Sequence, residues 1–397
     1  MLNILFIYSS PILPNKGGVQ NVTLNLATYF VNFGYKISFL TISKNTDNID
    51  NGFINNYFIP EPNNINSKLN IEYFVEIIKE NKIDFVINQS GLDKKITRLC
   101  FNVKNITQTY FISVFHNSLL GNINNIKFKN KILLKLKFNL IFNKMYANFN
   151  FFKVFIKVLY WFKYYKHYSL SIKKFDKCVF FSKKSLQELN FFIKKYDVNK
   201  CAFIPNPVVN HTINTKIKKN QLLFVGRLDN FQKQINLLID IWDIINKKFS
   251  NWTLIIVGDG PDLNILTNQI NLKQIPRIFL YNNQNPDIFY NESKIFCLTS
   301  LFEGWPLVIH EAQSFGTVPI LFNNFICAPE MINNHIDGIL IDKNNTNSYV
   351  ENLENLMNDT LFLTSMSNNA KANVINFSIE NISIKWKELF YSLKIKY

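Results

Sequence analysis

Short apolar runs separated by stretches of helical spacing alternate from one end of the chain to the other, and this alternation limits the possible folds more than any other feature. In the first half the runs cover residues 2–9, 36–42, 84–89, 109–115 and 177–182. In the second half they cover 222–228, 252–258, 277–281, 294–300, 318–322 and 338–342. An uninterrupted apolar run of this length suits a strand buried on both faces, and strands separated by helices build parallel sheets. Two such sets in a chain of 397 residues predict two α/β domains of ordinary size.

The predicted first domain spans residues 1–205 and the second 206–376. The break falls in Ile-Pro-Asn-Pro-Val at 204–208, because paired prolines continue neither a helix nor a central strand. Beyond Phe377, the residues Ile382, Trp386, Leu389, Phe390 and Leu393 recur at helical spacing. Residues 377–397 are therefore expected to form a helix packing back toward the N-terminal domain.

Hydrophobic residues make up 47% of the chain and the mean hydropathy is −0.01, values of a folded globular protein rather than a disordered one. Lysines interrupt each long apolar stretch before it reaches the ~18–20 residues of a membrane-spanning helix. The first ten residues lack the cationic start and small-residue cleavage site of a signal peptide, so they read as a first strand of a cytoplasmic protein. Cys100, Cys178, Cys201, Cys297 and Cys327 are widely spaced in apolar surroundings, as reduced core thiols would be.

The formal charge is +16, with 44 basic and 28 acidic residues, and its distribution is uneven. No Asp or Glu lies between Asp93 and Asp176, a stretch whose lysines and Arg98 account for the whole excess. Within it, residues 126–174 mix Lys with Phe, Leu, Ile, Tyr and Trp161. Such a composition can lay an apolar face into lipid headgroups while its lysines attract anionic lipid. The expected partner of this segment is the anionic inner face of the cell membrane, with a folded helical subdomain as the alternative.

Three places could carry chemistry. Gly17 and Gly18 follow the first predicted strand and precede Val19, Val22, Leu26 and Phe30 at helical spacing, so backbone amides at a helix start could meet a phosphate. Gly226 ends a strand and delivers Arg227 to the carboxyl edge of its sheet, with Lys233 following, so two cations could converge on a diphosphate. Then Glu303, Gly304 and Pro306 lead into a helix whose first amides belong to Leu307 and Val308, with Pro306 placed at its first position and Glu311 further in. Carboxylates repel phosphate but accept hydrogen bonds from sugar and ribose hydroxyls.

Gly17-Gly18, Gly226-Arg227-Leu228 with Lys233, Val257-Gly-Asp-Gly-Pro261, and Glu303 separated by seven residues from Glu311 together resemble the retaining glycosyltransferases of family 4, the glycosyl transferases group 1, of GT-B fold. Ile204-Pro-Asn-Pro207 and Gly316-Thr-Val-Pro319 match as well. The resemblance implies two Rossmann-like domains facing across a cleft, with a nucleotide sugar on the second and an acceptor on the first. It implies that Arg227 and Lys233 hold the diphosphate with help from Gly17, Gly18 and the Leu307 and Val308 amides. Glu311 would bind the ribose, Glu303 the donor-sugar hydroxyls, and His116, after an apolar strand, would face that sugar. The family usually has Gly where Gln234 stands and an apolar residue where His310 stands.

No Asp-x-Asp triplet occurs, so the expectation is a metal-independent enzyme with no cofactor beyond its nucleoside diphosphate sugar co-substrate, most readily a UDP-sugar. The expected acceptor is a glycan, lipid-linked in polysaccharide or lipopolysaccharide biosynthesis. A nucleotide-sugar epimerase of the same fold is the rival, distinguished by isomerising donor alone. A nucleic-acid-binding protein using the basic, aromatic segment leaves Glu303 and Glu311 unexplained.

Overall fold

The computed structural model describes residues 1–14, 17–43, 54–124, 150–209, 217–282 and 284–395. The part of the expected membrane segment at 126–149 lies outside the described residues. The chain forms two compact units, one of Met1–Pro207 with Ile379–Tyr397 and one of Val208–Ser378.

The first unit contains β1 (Asn3–Tyr8), α1 (Gly18–Asn32), β2 (Lys36–Thr41), β3 (Ile54–Phe58), α2 (Lys68–Glu80), β4 (Phe85–Asn88), α3 (Lys94–Lys104), β5 (Tyr110–Val114), α4 (Gly121–Asn124), α5 (Asn150–Lys174), β6 (Lys177–Phe180), α6 (Ser185–Phe192) and β7 (Cys201–Phe203). Its described strands are all parallel, in the order β3-β2-β1-β4-β5-β6-β7. Central β4 and β5 are buried almost throughout, as continuous Val, Ile and Phe runs require when helices cover both faces. α1 stops at Gly34, whose φ of +89° lets its amide return to Val31 and the Tyr35 amide to Phe30. Edge strand β3 was not expected, because its Ile-Asn-Asn-Tyr-Phe sequence is half solvated and carries no apolar run. β7 was not expected either, because its three residues are too short to stand out as a run.

The second unit contains β8 (Lys219–Val225), α7 (Asn230–Lys233), α8 (Ile235–Ile245), β9 (Thr253–Val257), α9 (Leu263–Lys273), β10 (Ile278–Tyr281), α10 (Pro286–Glu292), β11 (Ser293–Leu298), α11 (Leu307–Ser314), β12 (Val318–Phe322), α12 (Ala328–Met331), β13 (Ile339–Ile341), α13 (Thr346–Asn358) and α14 (Thr360–Val374). Its parallel sheet runs β10-β9-β8-β11-β12-β13. The ends of β8 and β9 approach so closely that a Cβ on Gly258 would lie 1.9 Å from the Gly226 carbonyl oxygen. Only glycine fits there.

The last helix, α15 (Ile379–Lys394), belongs to the first unit and buries Ile382, Trp386, Leu389, Phe390 and Leu393. The Phe390 ring sits 4.7 Å from Phe85 of β4 and 5.9 Å from Phe30 of α1, centroid to centroid. Among the described residues no helix is long and apolar enough to cross a membrane. All five cysteines are buried, and none forms a disulfide.

Because Phe390 is fully buried between two layers, Phe390→Ala should cost about 3–5 kcal/mol of stability, read from the urea midpoint. A loss below about 1 kcal/mol would mean that α15 does not complete this core.

Candidate functional site

In both sheets the strand order reverses beside the first strand, between β1 and β4 in one unit and between β8 and β11 in the other. Connections leaving the two central strands there turn to opposite faces, which opens a crevice at the carboxyl ends. The residues singled out from the sequence cluster at these two places.

In the second unit, the chain leaves β8 through Gly226 and Arg227 into the short helix α7, which Asp229 caps through the Gln232 amide at 3.4 Å. Lys233 closes α7, and its Cε lies within van der Waals reach of Gly226. Its Nζ lies 2.6 Å from Glu303 Oε1, with side-chain exposures of only 14% and 8%. Gln232 Nε2 donates to the other carboxylate oxygen at 3.2 Å and to the Phe302 carbonyl at 3.1 Å. The Thr299 hydroxyl donates to the Lys233 and Gln234 carbonyls, and the Leu301 amide to the Gln232 carbonyl at 2.8 Å. The loop after β11 is thus bolted to the turn after β8.

Lys233 and Glu303 were chosen from the sequence for different reasons, and the structure joins them in one buried ion pair. Arg227 does not share it. Its side chain is 68% exposed, with Nη2 3.0 Å from Asp229 Oδ2, so each cation at the β8 edge faces its own carboxylate.

α11 begins at Leu307, and Pro306 is its cap rather than its first helical residue, because its ψ of 107° is extended. The Leu307 and Val308 amides are among the first of the helix and have no acceptor within it. One turn on, Glu311 Oε2 accepts a hydrogen bond from the Tyr290 hydroxyl at 3.1 Å. Burial, reinforced by the Glu311 carboxylate, raises the Tyr290 pKa well above that of an ordinary phenol, so the hydroxyl stays a donor. Tyr290, 21 residues upstream on α10, was missed because nothing local marks it.

Both departures from the family pattern stand where the local structure favours the usual residue. Gln234 adopts φ +49°, the left-handed region that favours glycine, and its Oε1 is buried without a protein partner. His310 is fully buried on α11, stacked 4.0 Å from Phe377, and neither ring nitrogen has a protein partner. Burial lowers its pKa to about 3. An apolar side chain would suit that position better.

In the first unit Gly17 caps α1, and Gly18 is its first residue. A Cβ on Gly17 would lie 2.8 Å from Gln20 Oε1, whose amide nitrogen donates to the Pro11 carbonyl at 3.0 Å. His116 follows β5 and lines a small pocket with Gln89, Phe181, Asn206, Pro207 and Trp386. Its Nε2 is 2.5 Å from Gln89 Oε1, while Nδ1 is buried without a protein partner. Burial lowers the imidazole pKa to about 3, so the ring is neutral. Among the described residues no group of three or more His, Cys, Asp or Glu could hold a metal ion.

The second unit therefore presents cations, helix-start amides and two oriented carboxylates at one sheet edge, a set suited to phosphates and hydroxyls together. Residues 210–373 match the family model of the glycosyl transferases group 1. The chain is 26% identical over 394 residues to an uncharacterized glycosyltransferase of Haemophilus influenzae, covering 94% of this chain and 96% of that protein. It is 31% identical over 219 residues to the UDP-Gal:alpha-D-GlcNAc-diphosphoundecaprenol alpha-1,3-galactosyltransferase of Escherichia coli, covering 50% of this chain and 56% of that one. Among solved structures, a TarM mutant of S. aureus in complex with Fondaparinux, alpha-GlcNAc-glycerol and UDP superposes with a TM-score of 0.73 at 16% identity, covering 98% of this chain and all of that one.

Gln234→Gly should raise stability by about 1 kcal/mol, since it removes a left-handed non-glycine residue. His310→Leu should add about 1–2 kcal/mol, because two buried nitrogens without partners disappear. Between the unfolded imidazole pKa near 6.5 and the folded value of about 3, the unfolded chain binds more protons, so stability falls as pH drops through that window. His310→Leu should flatten that fall in thermal unfolding followed from pH 7 to pH 4, and an unchanged slope would contradict the assignment.

Proposed function

We propose, starting from the membership of residues 210–373 in the glycosyl transferases group 1 and from the GT-B fold of the chain, that this glycosyltransferase moves a hexose or N-acetylhexosamine from a nucleoside diphosphate sugar to a hydroxyl of a lipid-linked glycan. The donor is UDP-linked, the anomeric configuration is retained, and the product enters cell-surface polysaccharide or lipopolysaccharide. The E. coli relative, whose name carries both a UDP-sugar and a diphosphoundecaprenol acceptor, supports the donor and acceptor classes.

The observation that carries this reading is the buried Lys233–Glu303 pair at the switch point beside the start of α11. An ammonium has three donors, so Lys233 can hold Glu303 and still reach a phosphate oxygen. Arg227, exposed at the same edge, adds a second cation, and Gly17, Gly18 and the Leu307 and Val308 amides add dipoles. Glu311, oriented by Tyr290, accepts from ribose hydroxyls, and Glu303 from the donor sugar. His116 meets the donor sugar as a neutral ring. Leaving-group charge is then stabilised by fixed cations and amides, so no metal is needed.

Glu303→Gln and Arg227→Ala should each lower turnover on the order of 10²-fold, measured in excess chelator, with the wild type active under the same conditions. Near-normal turnover in both folded variants would refute the site. A wild type inactive in chelator and restored by Mg²⁺ or Mn²⁺ would refute metal independence.

For the membrane, the supporting feature is α5. One of its faces packs Tyr160, Trp161, Tyr164, Tyr168 and Ile172 into the core. Val154, Phe155, Val158, Leu159, Phe162 and Tyr165 are exposed within one arc of the helix, and Lys157, Lys163 and Lys166 are exposed on the same helix. The enzyme then works peripherally on the cytoplasmic face of the membrane. With about 1 kcal/mol per lysine, replacing these three by Gln should weaken binding to anionic vesicles on the order of 100-fold in sedimentation, and salt should do the same. Equal binding to neutral and anionic vesicles would overturn electrostatic docking.

A further inference from the structure

Gln89, the first residue after β4, enters the pocket of the first unit opposite His116, which follows the neighbouring strand β5. Its backbone is fixed by its own amide, which donates to the Ile7 carbonyl of β1 at 3.0 Å, and by the next residue, whose Ser90 amide donates to Asn88 Oδ1 at 2.9 Å. The residue is only 3% exposed. Two atoms of the pair meet, Gln89 Oε1 and His116 Nε2, at 2.5 Å. Two others, Gln89 Nε2 and His116 Nδ1, are buried and have no hydrogen-bond partner among the described residues.

An amide oxygen can only accept, so the nitrogen facing it must carry the proton, and in a neutral imidazole the other nitrogen is then bare. We propose that Gln89 is a positioning residue that fixes His116 as the Nε2–H tautomer and turns Nδ1 into a hydrogen-bond acceptor for substrate. The pair then offers the pocket one acceptor, His116 Nδ1, and one donor, the Gln89 amide N–H. That combination matches a hydroxyl, which both donates and accepts, and it does not match a phosphate, which needs donors alone. The surrounding lining agrees. Phe181, Pro205, Pro207 and Trp386 are apolar, Asn206 is neutral, and among the described residues no charged side chain lines the pocket. The Phe181 ring, 5.3 Å away and tilted by 62°, packs its edge against the imidazole and limits its rotation.

The catalytic consequence rests on the proposed function of His116, whereas the tautomer does not. The test separates them. In the full-length protein labelled with 15N-histidine, with His116 identified by its loss in His116→Ala, the wild-type ring should show a protonated Nε2 and a bare Nδ1 that stays bare from pH 8 to pH 5. In Gln89→Leu, which preserves the volume but removes the acceptor, the fixed tautomer should give way to a mixture. Turnover should fall about 10-fold or more with donor KM little changed. Gln89→Glu puts a carboxylate on Nε2, which favours the doubly protonated ring, so the pH below which activity is lost should move upward relative to the wild type. A wild-type ring protonated at Nδ1, which is the result if the amide is turned the other way, or a tautomer unchanged in Gln89→Leu, would overturn the proposal. If the tautomer behaves as stated but His116→Ala transfers sugar normally, it is the assigned role of His116 that fails and not its positioning by Gln89.

Discussion

The ion pair between Lys233 and Glu303 is the contact on which the arrangement of the second unit's sheet edge depends. It ties the turn after β8 to the loop after β11, two segments 70 residues apart that the topology sends to opposite faces of the sheet. A pair this buried is costly to form and more costly to break, since removing one partner strands the other charge at about 3–5 kcal/mol. The surrounding bonds explain why it persists: Gln232 satisfies the second carboxylate oxygen, and Thr299 and Leu301 hold the backbone of the turn. Gln234, directly after the lysine, takes a left-handed backbone with φ +49°.

The two units reuse one topology but equip their switch points with different chemistry. The second gathers ions and helix-start amides, which suit a diphosphate and the hydroxyls beside it. The first gathers a neutral imidazole and a neutral amide in an apolar pocket, which suit a hydroxyl. The loops holding His116 and Gln89 are braced from behind. Tyr160 on α5 donates to the Leu119 carbonyl, His167 on α5 meets the Gly91 carbonyl at 2.9 Å, and Glu188 on α6 accepts from the Ser118 hydroxyl and the Leu119 amide. The helix with the exposed apolar arc is therefore also the helix that steadies the loops bearing His116 and Gln89.

The fold was legible wherever burial on both faces forces continuous Val, Ile, Leu and Phe, which is why the central strands and the apolar face of α15 could be read directly. It was not legible at β3, where a solvated edge strand needs no such run. Glycine loops, Arg227, Lys233, Glu303 and Glu311 could be picked out because their chemistry is unusual next to strand ends. Their partners could not. Tyr290 for Glu311 and Gln89 for His116 stand 21 and 27 residues away, brought close by strand order rather than by spacing, and each looks locally like an ordinary core or loop residue. His310 reads as packing or surface because it precedes Glu311 on the same helix and so faces elsewhere, and the fold buries it against Phe377.

On the proposed function, the Lys233–Glu303 clamp forms the donor-phosphate end of the site. Calorimetric titration of UDP into the wild type and into the double variant Lys233→Met with Glu303→Leu tests it most directly, because removing both partners leaves no stranded buried charge. A charge-assisted hydrogen bond is worth about 1.5–3 kcal/mol, so the wild type should bind UDP about 10- to 150-fold more tightly than the variant. Equal affinity in both, with the variant folded, would contradict the account.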